Sequence, residues 1–295
     1  MVNYYDYVKS HPEEFKQFSC KELLFLIIDC PPDFTKAEDW AEHNCFLYVI
    51  TGNHMVYSRE RSWLLQQGAT VFMKKGGCGI EKVDEETFCA LMFYVPDSYI
   101  QFFARENASL FPRIELSMIT SDLVVPVETN DVLISFYESV ISYFTSGTQP
   151  PEDLLELKFR ELLLNIIANS TNKELTAYFY KLFLTNAVDL QDIMERNCLY
   201  DLELHDYARL CHRSLSSFKR DFQTTYGIPP GRWLQEKRLE TARHLLVASD
   251  RPVIDVAMES GFKNNTHFSR AFKNHFGLSP RQCRKEVVTM PASHS

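Results

Sequence analysis

Apolar and polar positions change rhythm twice along this chain. Between residues 22 and 95 the apolar residues come in short blocks: Glu22–Cys30, Asn44–Thr51, His54–Arg59, Ala69–Lys74, Gly79–Val83 and Thr87–Val95. Each block is rich in β-branched and aromatic side chains, which predicts strands. Thr51-Gly52-Asn53-His54 supplies a tight hairpin turn, and Gln67-Gly68 and Lys75-Gly76-Gly77 break the chain between other blocks. Many short strands in close succession predict a sandwich or small barrel.

After Pro96 the period becomes helical. Asp97–Glu106 is one short helix, and Asn130–Ser146 carries Val132, Leu133, Phe136, Val140, Ile141 and Phe144 near 3.6 spacing. Glu152–Asn169 is apolar over a wider arc. Leu155, Phe159, Leu162, Leu163 and Ile166 line one face, while Leu157, Leu164 and Ile167 cover part of another. Such a helix buries more than one side. It is either an interior helix or one that packs on its own domain and on a second subunit, and the five-residue face is the candidate dimer contact.

The last hundred residues repeat themselves. Asp206-Tyr207-Ala208 leads through Phe218, Arg220, Phe222, Gly227 and Pro230, and Asp255-Val256-Ala257 leads through Phe268, Arg270, Phe272, Gly277 and Pro280. The offset is 49 residues at the aspartate and alanine and 50 from the first phenylalanine onward. This is one supersecondary unit present twice. The first copy reads as a helix Leu204–Leu210, a turn Cys211-His212-Arg213, an N-cap at Ser214 and a helix Leu215–Thr225 ended by Gly227. The second reads as Val253–Ser260, a turn Gly261-Phe262-Lys263 and a helix from Asn264 to Phe276 ended by Gly277. Asp189–Asn197 precedes both, and a linking helix, Arg232–Ala248, packs through Trp233, Leu234, Leu239, Leu245 and Leu246.

Each copy is a helix-turn-helix with a polar ridge. Leu215, Phe218 and Phe222 face inward, which leaves Ser216, Lys219, Arg220 and Gln223 outside. Phe268, Phe272 and Phe276 face inward in the second copy, leaving Asn265, Thr266, His267, Arg270 and Lys273. With Arg213, Ser214 and Asn264 at the helix starts, these are the candidate DNA contacts. Hydroxyl, amide, ammonium and guanidinium groups on one ridge read base edges in a major groove. Arg238 and Arg243 either reach phosphates or lie on a solvated face. If the linking helix is rigid, the two units enter successive major grooves ~34 Å apart.

Charge sharpens this picture. The chain carries −8 overall, yet Arg196 to Val288 holds 16 Lys and Arg against 10 Asp and Glu, which is +6 and leaves −14 elsewhere. Only the C-terminal part attracts phosphates.

From about Leu202 to Arg284 the chain resembles the AraC/XylS family of transcription regulators. The likeness rests on Ala208, Ser214, Phe218-Lys219-Arg220-Asp221-Phe222, Gly227, Pro230, Arg238-Leu239, Ala242, Leu245-Leu246, Ile254-Asp255-Val256-Ala257, Gly261-Phe262, Phe268-Ser269-Arg270-Ala271-Phe272-Lys273, Phe276-Gly277 and Ser279-Pro280. Cys283 departs from the aromatic usual before the closing arginine, which implies looser packing there. The resemblance places base contacts on Ser216, Lys219 and Arg220, and on Asn265, Thr266, His267 and Arg270. It also implies a cupin-like N-terminal barrel or sandwich with trailing dimerisation helices, a homodimer, and promoter DNA and RNA polymerase as partners. Trp63 to Pro96 more weakly resembles the branch of virulence and type III secretion regulators. In that branch control comes from a protein partner or a fatty-acid-like ligand.

Other chemistry finds little support. The eight cysteines, at 20, 30, 45, 78, 89, 198, 211 and 283, form no Cys-x-x-Cys pair and read as buried free thiols. There is no His-x-His, and His43 and His54 stand eleven apart, so neither a metal site nor another cofactor is expected. No nucleophile–base motif stands out, so the chain is not expected to be an enzyme; the alternative is a cupin enzyme fused to a DNA-binding module. Phe25, Phe46, Tyr48, Trp63, Phe72, Phe88 and Phe93 line an apolar ligand pocket or form plain core. The longest apolar run, Leu23 to Cys30, is short of the ~18–20 residues of a membrane span. The N-terminus lacks a signal-peptide layout, which suggests a cytoplasmic protein. The expected architecture is α+β: a sensory and dimerisation domain over 1–185, a DNA-binding domain over 186–288 and a disordered tail over 289–295. The expected function is a sequence-specific transcription regulator, an activator, controlled at its N-terminal domain by a small molecule or a protein.

Overall fold

The computed structural model describes residues 1–30, 34–83, 87–111, 115–147, 149–185 and 189–288, and the tail expected from 289 lies outside them. The chain divides into two compact units, Met1–Val188 and Asp189–Ser295. The first contains β1 (Val2–Asn3), α1 (Tyr4–Ser10), β2 (Lys16–Cys20), β3 (Leu23–Asp29), β4 (Lys36–Ala41), β5 (Asn44–Thr51), β6 (His54–Tyr57), β7 (Ser62–Leu65), β8 (Thr70–Met73), β9 (Gly76–Lys82) and β10 (Cys89–Val95). α2 (Asp97–Glu106), β11 (Val124–Val127), α3 (Asp131–Ser146), α4 (Glu152–Ala168) and α5 (Lys173–Leu184) follow. The second unit is helical, so the chain is α+β as expected.

The strands form two sheets, ordered β1-β4-β9-β6-β7 and β11-β8-β5-β10-β3-β2. Leu24, Leu26 and Ile28 of β3 and Ala90, Met92 and Tyr94 of β10 meet Val56 and Leu65 of the other sheet in one core. The opposite faces of β3 and β10, with Leu23, Phe25, Leu91, Phe93 and Val95, meet α2 to α5 in a second core. A strand covered on both faces has no polar side, which is why these two read as unbroken apolar blocks.

The strands that the apolar pattern does not reveal are β1, β2, β4, β7 and β11. β1, β2, β7 and β11 are the four sheet edges. β4 has only the two-residue β1 on one side, so it is largely an edge as well. Edge strands tolerate charge and proline, as Lys36-Ala37-Glu38-Asp39 and Pro126 illustrate. Helices α1 and α5 were likewise not expected. The break expected at Lys75-Gly76-Gly77 falls at Lys74-Lys75, between β8 and β9; β9 already begins at Gly76, pairing with Ala41. Gly79 lies opposite Tyr57, whose ring would collide with any added Cβ. The glycine therefore makes room for a cross-strand aromatic.

Helix α4 corrects the dimer expectation. Leu155, Phe159, Leu162, Leu163 and Ile166 are all 0% exposed within a single chain. The Phe159 ring lies 5.3 Å from Tyr99, 6.1 Å from Phe25 and 6.2 Å from Phe46. These five residues hold the helix to its own sheet. Leu157 is the large apolar side chain of α4 left outside, 60% exposed, and it lines a shallow groove with Phe102 of α2.

Candidate nucleic-acid interface

The second unit comprises α6 (Leu190–Asn197), α7 (Leu204–Leu210), α8 (Leu215–Tyr226), α9 (Pro230–Ala248), α10 (Val253–Glu259), α11 (Asn265–Phe276) and α12 (Pro280–Val288). The two helix-turn-helix copies have matching local geometry. Arg213 N donates to Ala208 O and Phe262 N to Ala257 O, both at 2.9 Å. His212 and Gly261 share the left-handed conformation, with φ of 52° and 84°. Equivalence thus runs at an offset of 49 through Phe262, and the extra residue of the second copy is Lys263. At Gly261 a Cβ would meet Leu199 O at 2.9 Å, so only glycine fits that turn without strain.

Both recognition helices are capped as their residue types require. Ser214 Oγ accepts from Ser217 N at 3.2 Å, and Asn264 Oδ1 accepts from Thr266 N at 2.8 Å and His267 N at 3.0 Å. The two cap side chains are thereby engaged with their own helices. Gly227 and Gly277 end α8 and α11 with φ of 73° and 78°. Phe218 and Phe222 are buried, with Trp233 of α9 at 5.8 Å from Phe222. Phe268 and Phe272 are buried against Leu239, Ala242 and Val256. Phe276 is partly buried on the same core, and Cys283 is buried in it.

Each aromatic core pushes a polar ridge outward. Ser216, Lys219, Arg220 and Gln223 are exposed on α8. Asn265, Thr266, His267, Arg270 and Lys273 are exposed on α11. Arg213 is half-buried in its turn and reaches Asp221. Leu215 is exposed rather than inward, because it opens the first turn of α8 beyond the core ring. Arg238 is a structural tie: it donates to Cys198 O at 2.7 Å and Tyr200 O at 2.8 Å. Arg243 remains exposed, stacked 5.2 Å over Phe276. A ridge reading collects donors only and so passes over Asp221, an acid among the arginines; its spacing to Ser217 and Arg220 was the available signal.

Residues 44–178 match the model of the ExsA N-terminal regulatory domain, and residues 207–286 match that of a helix-turn-helix domain. The virulence regulon transcriptional activator VirF of Yersinia enterocolitica is 26% identical over 81% of this chain and 88% of its own. The regulator ExsA of Pseudomonas aeruginosa is 23% identical over 80% of this chain and 84% of its own. This chain belongs to the AraC/XylS family of transcription regulators. Among solved structures, ToxT of Vibrio cholerae aligns over 90% of this chain at 12% identity with a TM-score of 0.44. This AraC/XylS regulator thus joins a regulatory N-terminal domain to a DNA-binding one. Among its described residues no helix is long and apolar enough to cross a membrane.

The N-terminal unit of the regulator holds a cavity of about 500 Å³ between its two sheets. Trp40, Leu47, Val56, Leu65, Met73 and Met92 are among the residues that line it. Of the seven aromatics read as pocket lining or plain core, Phe88 lines it; Phe25, Phe46, Phe72, Phe93 and Tyr48 pack in the sheet–helix core, and Trp63 packs against the core between the sheets. The strand alternation decides this, since these rings point to the helix side. None of the eight cysteines forms a disulfide. Burial raises the thiol of Cys30 to about 11, and those of Cys78 and Cys89 to about 12, so all three stay protonated at neutral pH.

Proposed function

We propose that this regulator activates transcription by laying α8 and α11 in two successive major grooves of promoter DNA. The observation that carries the reading is the pair of matched ridges, each backed by its own aromatic core. They lie in the one segment with a net positive charge. Lys219, Arg220, Arg270 and Lys273, with Arg213, Ser216, Asn265, Thr266 and His267, supply the base and phosphate contacts. Ser214 and Asn264 act there as caps that orient the helix starts. The two ridges differ in chemistry, so one chain reads an asymmetric site and has a direction on DNA. RNA polymerase is the partner that activation requires, and the protein works in the cytoplasm.

Arg270→Ala tests the reading. Affinity should fall by ~1–3 kcal/mol at one base position of a selected site, with binding to random DNA nearly unchanged. An equal loss on random DNA would give Arg270 a phosphate role instead.

Control enters through the N-terminal unit. Its cavity has the size and apolar wall of a small-molecule site, and an apolar effector is the occupant we propose. Native mass spectrometry of the purified chain should show a bound or added apolar molecule that Val56→Trp displaces, because the indole fills the same space. A chain that takes up no such molecule would point to control by a protein partner. We also propose a homodimer formed by two copies of the groove edge at Phe102 and Leu157. An aromatic and an aliphatic side chain, rimmed by the Arg160–Glu106 and Lys21–Glu156 ion pairs, match the apolar centre and polar rim of an interface.

A further inference from the structure

The first recognition helix carries an acid that the second lacks. Asp221 follows Arg220 on α8, and its counterpart on α11 is Ala271, a core residue 7% exposed. Asp221 Oδ1 accepts from Arg220 Nε at 3.4 Å, and Oδ2 stands 3.4 Å from Arg213 Nε. Ser217 Oγ donates to Asp221 Oδ2 at 3.4 Å and accepts from Arg220 Nη2 at 3.2 Å. In the second copy buried Phe262 takes the place of Arg213, His267 that of Ser217, and α11 (NTHFSRAFKNHF) contains no acid.

The geometry has two chemical consequences. A guanidinium offers five N–H donors in a rigid plane. With Nε and one Nη2 hydrogen engaged on the helix, Arg220 is left with its Nη1–Nη2 edge for a ligand. A two-donor edge held in place matches the O6 and N7 acceptors of guanine. The carboxylate also offsets the charge of Arg220 and Arg213, so α8 draws phosphates less than its basic residues suggest. Arg220 is 75% exposed in side chain, and exposed ion pairs add little stability. The effect of Asp221 therefore lies in what Arg220 binds.

We propose that Asp221 is a positioning residue that, with Ser217, turns Arg220 into a fixed fork for one guanine. Arg270, with no such acid on its helix, is ordered only by the DNA it meets. This rests on the reading above that α8 enters a major groove.

The test uses the full chain with three kinds of duplex. One is a site selected by the unsubstituted chain from a random library, another its single-base-pair variants, and the third a random duplex. Arg220→Ala first identifies the base pair that Arg220 reads. Asp221→Ala should then lose about 10-fold discrimination at that same base pair. Its affinity for random DNA should hold or rise, and its log–log salt dependence should steepen by about 0.9 as the carboxylate no longer offsets the charge of Arg213 and Arg220. Asp221→Glu, which keeps the carboxylate, should restore part of the discrimination. Full discrimination in Asp221→Ala, where Arg220→Ala has lost it, overturns the proposal alone. So does a uniform loss on every duplex, the mark of a purely structural residue. If Arg220→Ala changes nothing, the docking of α8 fails, and the proposal fails with it.

Discussion

A Leu155→Asp chain should lose its folded N-terminal unit, whereas Leu157→Asp should fold and sediment as a monomer. The two positions are half a turn apart on α4, yet their surroundings differ completely. Leu155 is 0% exposed in the core between sheet and helices, and Leu157 is 60% exposed. An aspartate at 155 loses the transfer energy of a leucine and buries an unpaired carboxylate, a combined cost of about 5 kcal/mol or more. That is comparable to the whole stability of an ordinary domain, ~5–15 kcal/mol. At 157 the new carboxylate stays in water, so folding changes by less than about 1 kcal/mol. In an isologous contact the substitution sets two like charges close together where two leucines met. Circular dichroism and sedimentation velocity on both variants decide the matter. A Leu157→Asp chain that remains dimeric would remove α4 from the interface.

The contrast between 155 and 157 shows what local pattern can carry. The period of α4 announces a helix apolar on two sides, but which side meets its own sheet is decided by strands far earlier in the chain, from Phe25 of β3 to Phe93 of β10. The helix-turn-helix copies are the opposite case. Their caps (Ser214, Asn264, Gly227 and Gly277), their aromatic cores and their ridges are all set by neighbours within about one repeat, so the sequence displays nearly all of them. β3 and β10 were visible because both faces are apolar, and the sheet edges were not, because nothing obliges an edge to be apolar. The cavity was out of reach for a related reason. Leu47, Val56 and Met92 look the same in sequence whether they meet in a solid core or around a space.

Asp97→Ala should cost the N-terminal unit about 3–5 kcal/mol. Asp97 begins α2, and both it and Lys75 are 2% exposed in side chain. Its Oδ2 accepts from Lys75 Nζ at 2.6 Å and its Oδ1 from Asn44 Nδ2 at 2.6 Å. Asn44 Oδ1 in turn accepts from Lys75 N at 3.0 Å and from the Tyr178 hydroxyl at 3.2 Å. Four residues thus join the start of β5, the junction of β8 and β9, α2 and α5. Deleting the carboxylate takes a close counter-charge from a buried ammonium, and that, more than the lost hydrogen bonds, sets the cost. Asp97→Asn keeps the volume but not the charge and should cost nearly as much. Removing both charges in Lys75→Met, Asp97→Leu leaves nothing to compensate, so the double variant should regain much of the loss. Urea unfolding followed through Trp40 and Trp63 reads the N-terminal unit. Trp233, the single tryptophan of the other unit, should keep its own midpoint in every variant. If Asp97→Asn unfolds at the unsubstituted midpoint, the ammonium finds water in the folded state and the cluster is no tie. If the double variant is the least stable of the three, the ion pair contributes net attraction beyond its desolvation, and the helices are held to the sheet by charge.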